Sequence, residues 1–249
     1  MMTSFRQTYI DALKYYYYVG GMPEAVLSFS EEKDFNEVRS IQKRILDAYE
    51  QDFSKHAPVE LVPKIRMLWN SIPSQLAKEN KKFIYGLLRE GARAKDYETA
   101  IMWLSDCGLI HKVSRVNTIG IPLKAYEDLK AFKLFVLDVG LLSCMTGLSQ
   151  RTLLDGNQLF VEFKGALTEQ YVCQQLQTNS LGFKESNVCK LHFLWIISSA
   201  KQHNSSANVM DKPFAELSKL FNVIFGIHFF PIPRVGRCLQ NGLMIGTAL

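Results

Sequence analysis

The first third of the chain places apolar residues at helical spacing. Residues 5–19 are predicted to form a helix that ends at Gly20 and Gly21, since glycine readily adopts the left-handed conformation of a helix C-terminus. Pro23 suits the first turn of a second helix. A third helix is predicted after Asp34, which is followed three residues later by a glutamate, as in a capping box. The apolar stripe of this third helix comprises Phe35, Val38, Ile41, Ile45, Ala48 and Tyr49.

The pattern stays helical up to about residue 106 and then alternates. A fourth helix is predicted beyond residue 58, and its apolar residues are Ile65, Leu68, Trp69 and Leu76. A fifth helix over residues 94–106 has one apolar face and ends before Gly108. Strands are predicted at residues 109–116, 122–126 and 132–137, with a turn at 117–120. Helices followed by a β-hairpin are typical of a winged helix, which is a variant of the helix-turn-helix.

Residues 15–18 are four consecutive tyrosines within the first helix. Such a run could stack nucleic-acid bases. No basic groove accompanies it in the sequence, so a helix buried against neighbours on two faces is the favoured interpretation.

A winged helix raises the question of DNA binding. Residues 95–106, the natural recognition helix, carry one lysine against Asp96, Glu98 and Asp106, whereas a helix that reads a groove must approach phosphates. Packing against protein is therefore favoured over DNA readout. The basic residues that would contact nucleic acid in the alternative are Lys81, Lys82, Arg93, Lys112 and Arg115.

The composition indicates a globular chain, with 47% apolar and 21% charged residues among 249. No apolar run approaches the ~20 residues that span a bilayer, so no membrane association is expected. The first residues lack the basic and apolar regions of a secretory signal. Five widely spaced cysteines without a C-x-x-C fit reduced thiols, and a cytoplasmic location is expected.

The net charge is distributed unevenly along the chain. Residues 181–249 carry 7 basic and only 3 acidic residues, and they supply most of the formal net charge of +5. A basic excess can indicate an acidic partner such as nucleic acid. Here it coincides with a segment whose composition differs from that of the preceding residues.

Two short motifs resemble parts of nucleotide-binding and metal-binding sites. Residues 135–138 form an apolar run that ends in Asp138, as in a Walker B strand, but no G-x-x-x-x-G-K-[ST] loop is present to cradle phosphates. Asp138 is therefore expected to cap the helix that follows. Glu162 and Lys164 match the E-x-K half of a restriction-type nuclease site, yet the apolar residues around them recur at helical spacing. The histidines and cysteines show no metal-ligand spacing.

Eight sequence blocks follow one another in a distinctive order. They are YYYYVGGMPEAV (15–26), DFSKH (52–56), WNSIPSQLA (69–77), ARAKDYE (92–98), WLSDCGLI (103–110), PLKAY (122–126), FKLFVLDVGLL (132–142) and FKGALTEQYV (163–172). In this order they resemble the C-terminal half of a prokaryotic AAA-family ATPase. The resemblance spans about residues 5–178.

That family joins an N-terminal ATP-binding module to a conserved C-terminal domain of unknown function. The resemblance implies a winged-helix-like connector followed by a domain similar to restriction-type nuclease folds. The helix containing Glu169 would be the first core helix of that domain, and Glu169 matches a glutamate that the family keeps. ATP and Mg²⁺ would bind only in the N-terminal module, so no cofactor is expected in this chain.

The sequence departs from the family pattern after about Glu185. The next strands of the family carry Glu-x-Asp and Glu-x-Lys, whereas the acids between residues 191 and 249 are Asp211 and Glu216, at the wrong spacing. We expect a truncated product whose reading frame has shifted. Translating the other two frames of the gene tests this expectation. The frameshift is excluded if neither frame contains a family-like Glu-x-Asp and Glu-x-Lys.

These inferences predict an α+β chain with four regions. Residues 1–90 form a helical region, 91–148 a winged-helix-like region, 149–190 the start of an incomplete restriction-nuclease-like α/β domain, and 191–249 an atypical, frameshifted tail. The predicted function is a non-catalytic fragment of an AAA-family ATP-binding protein that couples to a protein partner or to the ATPase module. The alternatives are a nucleic-acid-binding winged helix and a vestigial restriction-type nuclease.

Overall fold

The computed structural model describes residues 2–78, 82–116, 123–155 and 158–178. Within these ranges the chain forms mostly α-helices and one two-stranded antiparallel sheet. This mixed architecture agrees with the α+β class predicted from the sequence. The predicted tail at 191–249, the turn at 117–120 and Lys81 lie outside the described residues.

In the described residues, five α-helices precede the sheet and three follow it. The first five are α1 (Met2–Val19), α2 (Pro23–Glu32), α3 (Phe35–His56), α4 (Val62–Ala77) and α5 (Ala94–Asp106). The sheet consists of β1 (Ile110–Val116) and β2 (Glu127–Val136), and it is followed by α6 (Val139–Met145), α7 (Gln150–Asp155) and α8 (Gln158–Thr178). Short 3₁₀ turns lie at Tyr85–Leu87 and Leu123–Tyr126.

The helix termini follow the signals in the sequence. Gly20 has a φ of +73°, and its N–H donates to the Tyr16 carbonyl at 2.8 Å, which ends α1. Helix α2 begins at Pro23. The Asp34 carboxylate caps α3 by accepting a hydrogen bond from the N–H of Asn36 at 2.8 Å. The predicted bounds of α5 agree with the structure at both ends.

Three details of the sequence prediction are wrong. Strand β2 begins at Glu127 and not at residue 132, since Glu127 and Asp128 already pair with the end of β1. The segment Leu123–Tyr126 forms a 3₁₀ turn and not a strand. Its neighbour Glu127 already pairs with Val116 at the end of β1, so a strand at 123–126 would have no partner along β1. In α3 the predicted stripe is also wrong at Ala48, which is exposed, whereas Gln42 is fully buried.

The two strands of the sheet pair in register except at one bulge. Ile110 lies opposite Val136, and Ser114 lies opposite Phe132. The next residue of β1, Arg115, already pairs with Asp128, so residues 129–131 of β2 have no partner on β1. On the other side of β2, the N–H of Phe83 donates to the Phe132 carbonyl at 2.6 Å. The segment between α4 and α5 therefore adds one backbone hydrogen bond to the two-stranded sheet.

An aromatic cluster holds the helical region together. The Phe53 ring packs edge-on against Trp69 at 5.7 Å between centroids and against Trp103 at 5.9 Å. These rings join α3, α4 and α5. Within the tyrosine run, Tyr17 and Tyr18 are 1% and 4% exposed, whereas Tyr15 is 41% exposed. The Tyr17 ring lies edge-on to Tyr171 of α8 at 5.8 Å.

The end of α1 crosses the start of α6 at very short distance. A Cβ atom placed on Gly140 would lie 2.6 Å from the Val19 carbonyl oxygen, and one on Gly20 would overlap the Asp138 carboxylate. Glycine is required at both positions because any side chain would push the two segments apart. This crossing joins the N-terminal helix to the segment that follows the sheet.

We predict that Gly20→Ala lowers the free energy of unfolding much more than Gly91→Ala does. Both glycines have a positive φ, +73° and +72°, so both variants incur a backbone strain of about 1 kcal/mol. Only the Cβ at position 20 meets other atoms, while nothing lies within 4 Å of a Cβ at position 91. Urea titration monitored by circular dichroism should show a difference of about 2 kcal/mol between the two variants. Equal losses would contradict the crossing described above.

Candidate functional site

The structure brings three of the predicted basic residues to the β-ribbon formed by β1 and β2. Lys112 is exposed on β1, and its ammonium lies over the Phe132 ring at 4.6 Å from the centroid. Arg115 forms an ion pair with Asp128 at 2.5 Å between Nη2 and Oδ2. Lys82 is exposed and lies close enough to Asp128 to lower the pKa of its carboxyl group.

The cations of the ribbon lower the pKa of the Asp128 carboxyl group. The hydrogen bond from Arg115 lowers the pKa of Asp128, and the N–H of Lys130 and the charge of Lys82 act in the same direction. The carboxylate therefore stays ionised and offsets part of the positive charge of the ribbon. Arg93 is exposed at the residue that precedes α5.

The exposed face of α5 carries acidic and apolar side chains. Glu98, Met102 and Asp106 follow one another at four-residue spacing and are all exposed, with Met102 60% exposed. Ala94, Lys95 and Thr99 of α5 are exposed as well. The net charge of the α5 face is thus opposite to the one that a phosphate backbone requires.

Glu169, the residue matched through the family resemblance, is paired with a lysine of the sheet. Its Oε2 accepts a hydrogen bond from Lys133 Nζ at 2.8 Å, and the two side chains are 9% and 21% exposed respectively. Sequence reasoning missed Lys133. The signal was a lysine inside the apolar run FKLFV, which suggests a cation that needs a partner when the strand is buried.

Two glutamines of α8 complete hydrogen bonds of the backbone that leaves the sheet. The Gln170 side chain accepts from the Val136 N–H at 3.0 Å and donates to the Val136 carbonyl, as a neighbouring strand would. Gln174 Oε1 accepts from the N–H of Val139 at 3.0 Å. Together with Glu169 these side chains orient α8 on β2 and α6.

Asp138 caps α6 as predicted, and it also joins two distant segments. Its carboxylate accepts from the N–H of Leu141 at 3.0 Å, the N–H of Gly21 at 2.7 Å and the amide of Gln174 at 3.0 Å. Burial raises the pKa of Asp138, and these N–H donors act against that effect. With every contact internal and only 2% of the residue exposed, Asp138 has a structural role in this chain.

The described residues contain no group of three or more His, Cys, Asp or Glu side chains that could hold a metal ion. Glu162 lies in α8 and not on a strand, as predicted from the helical spacing.

A groove of about 410 Å³ lies between the end of α4, the turn after α6 and Phe163 of α8, and its lining is mainly apolar. In the described part of the chain, no helix is both long and apolar enough to cross a membrane.

We predict that Glu169→Gln lowers the free energy of unfolding by about 2 kcal/mol, because it removes the carboxylate that lies 2.8 Å from the Lys133 ammonium in a largely buried site. A double-mutant cycle tests the pair. The free energy of unfolding lost by the double variant Lys133→Met with Glu169→Leu should be smaller than the sum of the losses in Lys133→Met and in Glu169→Leu. Urea unfolding of the parent chain, the two single variants and the double variant gives the coupling energy. Additive losses would contradict a direct interaction between the two groups.

Comparison with protein families gives one match. The model of a family described as a domain of unknown function, DUF8612, matches residues 10–152, which is more than half of the chain. The match runs from α1 through the sheet and α6 to the start of α7. Comparisons with curated proteins and with solved structures gave no match. The chain therefore belongs to the DUF8612 family.

Proposed function

We propose that this chain is a non-catalytic, protein-binding module of winged-helix type, similar to the coupling region in the C-terminal half of an AAA-family ATPase. The observation that carries the proposal is the exposed face of α5, where Glu98, Met102 and Asp106 stand in place of cations. A helix with this face is suited to contact another protein and not a phosphate backbone.

The order of elements supports the winged-helix part of the proposal. Helix α4 is followed by a short extended contact at Phe83, a 3₁₀ turn, helix α5 and the ribbon of β1 and β2. A winged helix places its recognition helix directly before such a ribbon. In this arrangement α5 is the recognition helix, and the ribbon of β1 and β2 is the wing.

The charge distribution supports protein binding over the nucleic-acid alternative. Arg115 is paired with Asp128, and Lys112 lies over the Phe132 ring. Lys82 and Arg93 are exposed, but the exposed face of α5 carries the acidic groups Glu98 and Asp106. Phosphate contacts would therefore have to form beside carboxylates, which weakens them.

The contacts of α8 support a coupling role. Glu169, Gln170 and Gln174 bind the end of the sheet and the start of α6, and Asp138 extends the network to Gly21. A displacement of the ribbon would therefore be transmitted to α8 and to the end of α1. In the proposed nuclease-like domain, Glu169 orients the first core helix through Lys133.

We predict that the chain has no substantial affinity for nucleic acid. Fluorescence anisotropy with short labelled duplex and single-stranded DNA should give dissociation constants weaker than about 10 µM at physiological salt. The double variant Lys82→Ala with Lys112→Ala should behave like the parent chain. Submicromolar binding that falls steeply with salt, and that the double variant loses, would establish the nucleic-acid alternative and overturn the proposal.

We also predict that the chain does not bind nucleotide, because it contains no Walker A loop to hold the phosphates. Isothermal titration calorimetry with ATP and Mg²⁺ should show no saturable heat. An AAA-family ATP-binding module measured under the same conditions serves as the positive control. Micromolar affinity of this chain for ATP would contradict a purely coupling role.

A further inference from the structure

Four aromatic rings pack together where α1, α2 and α3 meet, and this cluster reaches the protein surface. The Tyr15 ring lies 6.2 Å from Phe29 and 5.8 Å from Phe35 between centroids, and the two phenylalanine rings lie 4.9 Å apart. Tyr18, which is buried, packs edge-on against Phe35 at 5.2 Å. Tyr15 is 41% exposed, and Phe29 and Phe35 are half-buried. The cluster therefore presents aromatic surface to solvent.

Helix α2 is only thinly covered by the rest of the chain. Among its ten residues Ala25 alone is buried. A helix of this length is marginal on its own, so its packing against α1 and α3 is what holds it in place. The outer side of the aromatic cluster thus combines apolar area with a fixed geometry, which suits it to contact another protein.

The rings of the cluster already bind positive charge within the chain. The Lys33 ammonium lies over the Phe29 ring at 5.0 Å from the centroid, and the Arg39 guanidinium lies over Tyr18 at 4.0 Å. Lys33 has a φ of +56°, in the left-handed region that glycine usually occupies at the end of a helix. A glycine there would relieve the backbone strain, but it would leave the Phe29 ring without its cation.

Carboxylates outnumber cations in the turn between α2 and α3. The exposed residues there include one lysine, Lys33, and four acids, Glu31, Glu32, Asp34 and Glu37. Asp34 caps α3, whereas the three glutamates form no ion pair with any other described residue. Glu31 and Glu32 lie in the last turn of α2, at the negative end of the helix dipole, and that turn contains no basic residue. Their negative charge is therefore not neutralised within the described part of the chain.

We infer that the rings of Tyr15 and Phe29, together with the carboxylates of Glu31, Glu32 and Glu37, bind an arginine-rich segment of a partner protein. An arginine of the partner stacks on the exposed Tyr15 ring, and its neighbouring basic residues pair with the glutamates. Arginine suits this surface better than lysine does, because a planar guanidinium stacks on an aromatic ring and also binds a carboxylate through two hydrogen bonds. Lys33 competes with the partner for the Phe29 ring.

This surface is local and is separate from the α5 face of the proposed function. The whole chain has a formal net charge of +5, so a basic peptide is attracted to a local group of carboxylates and not to the protein as a whole. Helix α2 packs against α1 and α3, whereas α5 packs against α4 and β1. Loss of the α5 contacts would therefore leave binding at this surface intact.

Fluorescence anisotropy of labelled nona-arginine with the full chain tests the inference. We expect saturable binding at roughly micromolar to tens of micromolar concentrations that weakens as the salt concentration rises, and binding of nona-lysine that is weaker by about threefold or more. Tyr15→Leu keeps an apolar side chain but removes the ring, and it should weaken the binding of nona-arginine about threefold, whereas Tyr15→Phe should bind like the parent chain. Leu27→Ser, at a 58% exposed leucine on another face of α2, is the control for lost apolar surface and should have no effect.

Charge variants locate the site on the surface. Glu31→Gln with Glu32→Gln should weaken the binding of nona-arginine at least about fivefold. Lys33→Gly should strengthen it about twofold, because this change uncovers the Phe29 ring and removes a competing positive charge. Glu98→Gln with Asp106→Asn removes the same charge from α5 and should leave the affinity unchanged. Circular dichroism melting checks that all variants remain folded.

The outcomes separate this inference from the proposed function. Binding that needs the Tyr15 ring and the two glutamates of α2, and that Lys33→Gly strengthens, supports it. The inference is overturned by a lack of saturable binding up to about 1 mM peptide, by a Tyr15→Leu chain that binds like the parent, or by equal losses in the α2 and α5 charge variants. A loss confined to the α5 charge variant also overturns it, and would instead place the basic partner on the α5 face of the proposed function.

Discussion

The buried carboxylate of Asp138 is the interaction on which the rest of the structure depends. It accepts N–H groups from the end of α1, from the first turn of α6 and from α8, three segments that are distant in sequence. Each of these donors would cost about 1–3 kcal/mol if it were left buried without an acceptor. The carboxylate can lie against the end of α1 only because Gly20 has no side chain, since a Cβ there would lie 2.2 Å from Asp138 Oδ1. Since Asp138 lies two residues after β2, it also determines how the ribbon is held against the helices.

Side-chain amides and one guanidinium complete this polar core. Gln42 is fully buried and donates to the carbonyls of Tyr18 and Val19, which are among the unpaired carbonyls at the end of α1. Arg39 stacks on the Tyr18 ring at 4.0 Å and donates to the Leu148 carbonyl at 2.9 Å. These contacts join α1, α3 and the turn after α6. The helices are thus held together by directed hydrogen bonds as well as by apolar packing, and directed bonds define one relative arrangement.

Local structure was predictable from the sequence where the signal lies in neighbouring residues. The bounds of α5, the end of α1 at Gly20 and the caps at Asp34 and Asp138 depend on residues within one helical turn. The partners of buried polar groups were not predictable, because periodicity identifies an apolar face and not what lies against it. Gln42 interrupts the apolar pattern of α3 and reads as surface, yet its amide is needed at the end of α1. At the candidate site the same limit applies: Lys112 and Arg115 were identified, but Asp128 and Phe132, which modify their charge, became apparent only from the register of the ribbon.

The long separation between Gly21 and Asp138 has a consequence for synthesis of the chain. The two groups are 117 residues apart, and Tyr16 is 158 residues from its partner Gln174. At about 5–20 residues per second, a ribosome completes α1 roughly 8–30 seconds before it completes α8. During that interval the buried side of α1, including Tyr17, lacks its final neighbours on α8. Helix α1 therefore cannot complete its packing until α8 has been synthesised.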